Sequence, residues 1–467
     1  MAKLFRVVKL NDRFDTQVYT FLLPNKILRD LSPDVYSKDF VCGYQKWTVS
    51  FVKGERHLGS YLKLQNISPG LICKADYSFT MVNKEHFTKN ETYIEKGCEF
   101  TSESDTKGRK TFVPYEDLIN RTFMQVHGDF LVELELRNVV SSLDCLIKIP
   151  KDQQSRYNYN QKLESPYFGF GLFDWSISLF PNAYTTEVEG TVAFQLHRHT
   201  SFDHLCNVKY QVTLGETNSF ETGLLEHTLD AAGNGEPYVV GIPLYAITRG
   251  RSSLRLRIEM FSVASVSELT IHVLSRSRNR VHLYDRDKQA WLLESDTSGK
   301  HLAFRLYYTD ISHVPRKFTR YVNFNLSVLP INPDKPAVRA VDGPFYRYYV
   351  QEDLDDGMLI RTNIRIDELQ GAESEYLTQD DQRLLVHVEW IDSQLLVSPT
   401  YHSLDDVARV HKHQMMREIL ALQAENYALE KQLYSYQKSI AKTSARGRSV
   451  SADGERQPPL PRNMRRS

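Results

Sequence analysis

The sequence predicts a mainly β protein: three tandem antiparallel β-sandwiches, then a long helix and a disordered tail. Short runs in which apolar and polar residues alternate, from KWTVSFV to RLLVHVEW, indicate half-buried strands. One tryptophan-bearing run occurs three times, as QKWTVSFVKG at 45–54, DWSISLFPN at 174–182 and QAWLLESDTSG at 289–299. After residue 403 the pattern changes to that of a helix. Repetition of one strand predicts an array of similar domains.

Each tryptophan run belongs to a set of strands that spans roughly a hundred residues, the size of one sandwich. The first set contains KWTVSFV, GSYLKLQN, CKADYSFTMVN, TFVPYEDL and DFLVELELRNV, each bounded by Gly, Pro, Asn or Asp. A chain of 467 residues is also long enough for about three domains. We therefore predict sandwiches at 1–138, 164–275 and 276–398, with a linker at 139–163.

The repeated tryptophans are expected in the sandwich cores. Trp47, Trp175 and Trp291 each stand in a run with alternating apolar residues. A large indole in such a run fills the centre of a sandwich. The repeat therefore predicts the fold and leaves the function to other residues.

Composition argues against several classes of function. The 58 basic and 58 acidic residues cancel, so no whole-chain field favours a nucleic acid or a membrane. No run reaches the ~18 apolar residues of a membrane span, and the amino terminus lacks the apolar stretch of a signal peptide. The cysteines are odd in number and unclustered, which indicates a reducing compartment; they are Cys42, Cys73, Cys98, Cys145 and Cys206. We therefore expect a cytoplasmic protein with no membrane span and no nucleic-acid partner.

The order of features within the sets resembles the meprin and TRAF homology (MATH, or TRAF-like) sandwich. The first set runs from FVCGYQKWTVSF through GSYLKL, CKADYSFTMVN and KGRKTFVPYEDL to GDFLVELEL. The second set supplies DWSISLFPN, and the third closes with IDELQGAESEYLTQDDQRLLVHVEW; both are similar to runs of that family. The resemblance covers most of the chain and implies three tandem MATH-like sandwiches.

Members of this family bind short extended peptides along one edge of the sandwich, so the resemblance implies proteins or extended peptides as partners. Peptide-binding members carry an Asp-Trp-Gly-Phe-like run beside the groove. The aligned residues are Thr106, Lys107, Gly108 and Arg109 in the first sandwich, and Asp356, Gly357 and Met358 in the third. Glycine is present in both runs, the acid is present in the third, and neither run has the aromatic residues.

A heptad pattern predicts a coiled-coil helix over 403–442, which begins with the capping signal of Ser403 and Asp406. The seam consists of Met415, Ile419, Leu422, Asn426, Leu429, Leu433, Tyr436 and Ile440. Asn426 favours a two-stranded parallel register, although Glu425 would face Glu430 of a parallel partner chain. The segment predicts oligomerisation, with a homodimer, a different partner helix and a higher oligomer left open. A lone helix packed on the third sandwich is the alternative.

The last segment, 443–467, is polar, basic and without periodicity, which predicts disorder. Arg446 and Arg448 precede Ser449 and Ser451 at the spacing that basophilic kinases prefer, and a phosphate there would oppose the basic charge. A second run resembles polyproline ligands of WW or SH3 modules; it consists of Pro458, Pro459, Leu460 and Pro461. A solvated tail with neither role is the alternative.

One cluster of residues raises the question of metal chemistry. The run LHRHTSFDHLC places His197 and His199 on one face of a predicted strand, with Asp203, His204 and Cys206 beyond a turn. These residue types bind zinc, although their spacing matches no standard zinc motif and solvent-facing histidines are the alternative. The sequence also lacks a phosphate-binding loop, a nucleophile elbow and an HExxH motif. We predict no catalytic residue, no cofactor and no metal.

Together these features predict a non-enzymatic adaptor or scaffold. It would bind partner proteins through the sandwich edges and oligomerise through the coiled coil, which raises the effective concentration of weak edges. The resemblance suggests TRAF-like signalling or ubiquitin-linked recruitment as its setting. The alternatives are a structural component of a cytoskeletal, centrosomal or ciliary assembly, and a zinc-dependent enzyme that uses the His197 region.

Overall fold

The computed structural model describes residues 1–10, 15–28, 34–125, 128–149, 162–183, 191–200, 204–216, 219–230, 232–273, 278–285, 287–332, 334–351, 357–371, 374–378, 382–397, 419 and 422–438. Residues Met1–Thr400 form one compact unit, and residues Tyr401–Ser467 form a second. The described part of the first unit is mainly β with antiparallel sheets, which confirms the mainly β, antiparallel part of the predicted fold class.

The first unit contains strands β1 to β27 in chain order. Those up to residue 148 are β1 (Lys3–Lys9), β2 (Gln17–Leu23), β3 (Val35–Tyr36), β4 (Phe40–Cys42), β5 (Gln45–Lys53), β6 (His57–Leu64), β7 (Leu71–Met81), β8 (Glu91–Phe100), β9 (Thr106–Pro114) and β10 (Phe130–Lys148). The next are β11 (Leu163–Glu164), β12 (Phe168–Phe170), β13 (Phe173–Ala183), β14 (Thr191–Arg198), β15 (Leu205–Leu214), β16 (Phe220–Glu221), β17 (Leu225–Leu229), β18 (Tyr238–Val239) and β19 (Ser253–His272). The last are β20 (Arg278–Tyr284), β21 (Ala290–Asp296), β22 (His301–Tyr308), β23 (Phe318–Leu329), β24 (Val338–Arg339), β25 (Phe345–Tyr349), β26 (Met358–Arg365) and β27 (Arg383–Val397).

The helices among the described residues of this unit are short. The α-helices are α1 (Tyr115–Asn120), α2 (Leu244–Thr248) and α3 (Ile366–Leu369). Turns of 3-10 helix cover Asn25–Leu28, Phe87–Lys89 and Thr309–His313.

The described strands form one large sheet and three smaller sheets, which are the layers of the unit. The large sheet contains β1, β2, β7, β8, β10, β15 to β17, β19, β23 to β25 and β27. The smaller sheets contain β3 to β6 with β9, β11 to β14 with β18, and β20 to β22 with β26. Buried apolar side chains lie in three cores, each between the large sheet and one small sheet. We call these two-layered bodies the first, second and third sandwich.

The tryptophan run shows why these residues form strands. In β5 buried and half-buried residues alternate from Gln45 to Val52, as the sequence pattern predicts. Trp47, Trp175 and Trp291 are fully buried, which confirms that they belong to the cores. The indole N–H of Trp47 donates to the carbonyl oxygen of Cys42 at 2.9 Å, and that of Trp175 donates to the carbonyl oxygen of Phe170 at 2.8 Å. The repeat is therefore a repeat of core packing.

Three long strands join the sandwiches. The second half of β10, Ser141–Lys148, pairs with Ser253–Met260 of β19. The second half of β19, Ser265–His272, pairs in turn with Arg383–Trp390 of β27. Each junction between consecutive sandwiches is thus a continuous antiparallel ladder.

The predicted linker at 139–163 begins inside β10. Leu143 and Ile147 of this strand are buried in the core of the second sandwich. Continuing the strand therefore buries apolar side chains that an exposed linker would leave in water. As a result the first sandwich shares a strand with the second.

In the second unit, residues 419 and 422–438 are helical. The remainder of the predicted coiled-coil span lies outside the described residues, as does the whole predicted tail.

Candidate protein-binding edges

The strand β9 is the outer strand of the small sheet in the first sandwich. Its ladder partner within the described ranges is β6, where Thr106 lies opposite Lys63. Thr106, Gly108 and Arg109 are exposed, and Lys107 is half-buried. The four residues implied by the resemblance therefore lie together on an accessible strand edge. Such an edge carries main-chain groups that can pair with an added strand.

Glycines on two sandwich edges each lie close to a tyrosine of the neighbouring strand. A Cβ atom on Gly108 would lie 2.6 Å from the Cα of Tyr61 on the neighbouring strand and would overlap with the carbonyl oxygen of Ser60. A Cβ atom on Gly357 would lie 2.6 Å from the Cζ of Tyr307. Neither position has room for a side chain: Gly108 permits close approach of the neighbouring main chain, and Gly357 leaves space for the ring of Tyr307.

Arg109 spans the open side of the first sandwich, from β9 to β8, the outer strand that pairs with β7. Its Nη2 lies 2.7 Å from Oε1 of Glu95, and its guanidinium carbon lies 4.6 Å from the ring centroid of Tyr93. The buried hydroxyl of Tyr93 donates to the carbonyl oxygen of Ser60 at 3.1 Å. Burial raises the pKa of Tyr93, so this hydroxyl remains a donor at neutral pH. These contacts hold the guanidinium in the gap between the outer strands β8 and β9. We call this gap, with Tyr93, Glu95 and Arg109, the mouth of the first sandwich.

The charges at this mouth are not balanced. The strand β9 carries Lys107, Arg109 and Lys110 and no carboxylate. The three glutamates of β8 each have a cation within 3.1 Å: Glu91 has Arg121, Glu95 has Arg109 and Glu99 has Lys74. Lys107 Nζ donates to the Ser104 hydroxyl at 2.7 Å. Neither Lys107 nor Lys110 forms an ion pair with another residue that the structure describes, so positive charge is in excess along β9.

The corresponding outer strand in the third sandwich is β26. It pairs with β22, and Met358 lies opposite Leu306. Met358 is half-buried, and the next residue, Leu359, is 40% exposed. Asp356 lies outside the described residues. This edge therefore begins with apolar side chains where β9 presents cations.

Three residues at the mouth were not predicted from the sequence: Tyr93, Glu95 and Lys110. The run ETYIEKGCEF contains alternation that indicates a strand. No local signal shows that this strand lies beside β9, because that relation depends on how the two sheets pack. Lys110 could have been found from its position next to the aligned run.

The histidine cluster lies apart from these edges. The rings of His197 and His199 have centroids 6.3 Å apart, and burial lowers the pKa of His197. His199 forms a hydrogen bond with a serine hydroxyl at 2.7 Å, and His204 donates to a main-chain carbonyl of the third sandwich at 2.7 Å. Cys206 is buried, and Asp203 lies outside the described residues. Within those residues, no group of three His, Cys, Asp or Glu side chains could hold a metal ion.

The predicted helical seam is exposed in the single chain. Exposed seam residues are Ile419, Leu422, Asn426, Leu429, Leu433 and Tyr436. Other predicted positions fall outside the described residues; they are Met415, Ile440, Ser449, Ser451, Pro458, Pro459, Leu460 and Pro461. A helix with an exposed apolar stripe is typical of one that pairs with another helix.

No protein-family model matches the chain, and no curated protein matches it significantly. Among the described residues, no helix combines the length and apolar character needed to cross a membrane.

Proposed function

We propose that this protein is a non-enzymatic adaptor whose MATH-like first sandwich binds extended peptides of partner proteins along β9. The observation that carries the proposal is the accessible edge formed by Thr106, Lys107, Gly108 and Arg109. A peptide added there would pair with the main chain of β9, and alternate side chains would enter the mouth above Tyr93. Affinity would come from main-chain hydrogen bonds, and specificity from the side chains of the mouth.

A random-peptide display library, panned against the full chain, tests this proposal. Selected peptides are then measured by fluorescence anisotropy against the wild type and the variant Gly108→Ala. A methyl group at residue 108 has no room beside Tyr61, so the outer strand must shift and the peptides should bind at least tenfold more weakly. Gly223→Ala is the matched control, since its Cβ would meet nothing within 4 Å.

Thermal unfolding of each variant shows whether it is folded. Arg109→Ala provides a second test of the same edge if Gly108→Ala does not fold. The proposal is wrong if the library yields no binder, or if the selected peptides bind the edge variants as tightly as they bind the wild type.

In this proposal the protein also forms oligomers through the helix of the second unit. Leu422, Leu429 and Leu433 are exposed on this helix, and burying them against a second helix would remove apolar surface from water. Several weak edges on one particle would then act together through their effective concentration.

Sedimentation equilibrium of the full chain tests this part. We expect an oligomer for the wild type and a monomer for Leu422→Asp/Leu429→Asp. Ala424→Asp/Ala428→Asp places the same charges outside the seam and should leave the oligomer intact. A monomeric wild type, or a seam variant that assembles normally, would contradict helix-mediated assembly.

A second candidate function is a structural component of a cytoskeletal, centrosomal or ciliary assembly. The continuous ladders between consecutive sandwiches favour it, because fused sandwiches make a rigid spacer. Deleting 403–442 should then abolish localisation in cells, while edge variants such as Gly108→Ala should leave it unchanged.

A further inference from the structure

We infer that the β9 edge selects acidic extended peptides, an inference that rests on the proposed function. The strand contains three cations in the run TKGRKTFVP and no acid. The glutamates of the facing strand are already engaged by Arg121, Arg109 and Lys74. A peptide that pairs with β9 therefore meets Arg109, which is paired with Glu95, and two lysines, Lys107 and Lys110, that form no ion pair within the described part of the sandwich.

Geometry places Lys107 and Arg109 where a ligand would be, and Lys110, the next residue of the strand, is exposed. Side chains two residues apart on a strand point to the same face, so Lys107 and Arg109 share one face of β9. Arg109 is held in position by its contacts with Glu95 and Tyr93, so little side-chain entropy remains to be lost when a second carboxylate binds it. Opposite charges on neighbouring strands stabilise their pairing, whereas like charges oppose it.

The third sandwich offers an internal contrast. Where β9 has Arg109 and Lys110 after its glycine, β26 has Met358 and Leu359 after Gly357. Both glycines lie against a tyrosine of the adjacent strand, Gly108 against its main chain and Gly357 against its ring, and the residues that follow the two glycines differ in charge. Acid selection is therefore expected of β9 and not of β26.

The test extends the display experiment to charge. Peptides selected on the full chain should be enriched in Asp and Glu, and should bind Lys107→Gln/Lys110→Gln roughly tenfold more weakly than the wild type. Their amidated versions, with Asn for Asp and Gln for Glu, should lose a similar factor. Lys38→Gln/Lys46→Gln is the matched control, because Lys38 lies between β3 and β4 and Lys46 lies on β5, both away from β9. Raising the ionic strength should weaken wild-type binding, since exposed charges are screened.

The outcomes separate this inference from the proposed function. Peptides that are lost on Gly108→Ala but show no acidic enrichment and bind Lys107→Gln/Lys110→Gln normally would overturn acid selection and leave peptide binding intact. Acidic peptides that bind Gly108→Ala as tightly as they bind the control variant Lys38→Gln/Lys46→Gln would overturn the assignment to β9. A library that yields no binder would overturn both.

Discussion

Two kinds of junction connect the sandwiches, and they differ in chemistry. The first sandwich is joined to the second, and the second to the third, by antiparallel pairing of long strands. The third sandwich also meets the first, where β27 lies beside β1, but these strands are not ladder partners in the described sheet. Side chains make hydrogen bonds there instead: the Tyr348 hydroxyl donates to the carbonyl oxygen of Val7 at 2.7 Å, and Gln394 Nε2 donates to that of Val41 at 3.3 Å.

This difference predicts which junction between sandwiches should unfold first. A main-chain hydrogen bond contributes about 0.5–1.5 kcal/mol net, so a ladder of several pairs is worth more than two side-chain contacts. The ladder strands also place apolar residues in the next core, as Leu143 and Ile147 do. The contact between the third and first sandwiches also buries two apolar residues, Tyr321 and Leu396, in the first core, so the junctions differ mainly in their main-chain hydrogen bonds. We therefore expect the two ladders to persist until global unfolding, and the third contact to open locally before it.

Trp390 should give the largest effect, because it lies in the ladder between the second and third sandwiches. It pairs with Ser265, its indole N–H donates to the Ser267 hydroxyl at 2.8 Å, and its ring lies 5.3 Å from that of Trp291. Trp390→Ala removes a buried indole, which typically costs about 3–5 kcal/mol. Urea unfolding of the full chain measures the loss.

Trp390→Phe serves as the control, since it keeps a ring and removes the N–H donor. It should cost clearly less than the alanine variant. A loss below about 1 kcal/mol for Trp390→Ala would show that this ladder does not limit stability.

Gly171 should rank second, at the junction between the first and second sandwiches. Its N–H donates to the carbonyl oxygen of Tyr44 at 2.8 Å, its φ is +63°, and a Cβ there would overlap with Val263. Gly171→Ala therefore combines left-handed strain with overpacking, at about 2 kcal/mol or more. Gly241→Ala separates the two terms, because its φ is +73° but its Cβ would meet nothing within 4 Å. Equal melting temperatures for the two variants would show that the close packing at Gly171 is unimportant.

Asp285 should have a smaller, pH-dependent effect on the junction between the second and third sandwiches. Its carboxylate accepts hydrogen bonds from the N–H groups of Asp287 and Gln289, both at 2.9 Å, and from Trp291 Nε1 at 3.0 Å. The turn that it orders follows Tyr284, whose carbonyl oxygen accepts hydrogen bonds from the second sandwich. The carboxylate thus supports the contact indirectly.

Asp285→Asn should lower the free energy of unfolding by about 1–3 kcal/mol at neutral pH. The NH2 group of asparagine would face the indole N–H of Trp291, and two donors cannot form a hydrogen bond. Burial raises the pKa of Asp285 above that of an unfolded aspartate. Protonated Asp285 therefore adds to the free energy of unfolding. This contribution is complete below the pKa of Asp285 in the unfolded chain and is lost as the pH rises through its pKa in the folded protein. The difference between wild type and variant in urea unfolding should therefore shrink as the pH rises. A difference that is constant or grows with pH would contradict this assignment.

Local elements were predictable from the sequence, whereas the junctions were not. The strict alternation of QKWTVSFVK predicts β5, and its tryptophan lies in the core as expected. The run VVSSLDCLIKIP mixes Ser and Asp with apolar residues, so it resembles a linker until β19 supplies a pairing partner more than a hundred residues later. Contacts between distant residues were likewise not predictable at the candidate site. The resemblance placed Arg109 at an edge, but its stacking on Tyr93 depends on how two sheets pack.

Tyr348→Phe should have the smallest effect and is the sharpest test of the comparison. It removes the hydroxyl that donates to Val7 and leaves the ring, so the global free energy of unfolding should fall by about 1 kcal/mol or less. Amide hydrogen exchange should accelerate in β1 and stay unchanged in β19, because only the side-chain contact is weakened. Tyr346→Phe changes a nearby exposed tyrosine on the same strand, β25, and should leave both strands unchanged. If β19 accelerates as much as β1, the contact between the third and first sandwiches unfolds together with the ladders, and the two kinds of junction form one cooperative unit.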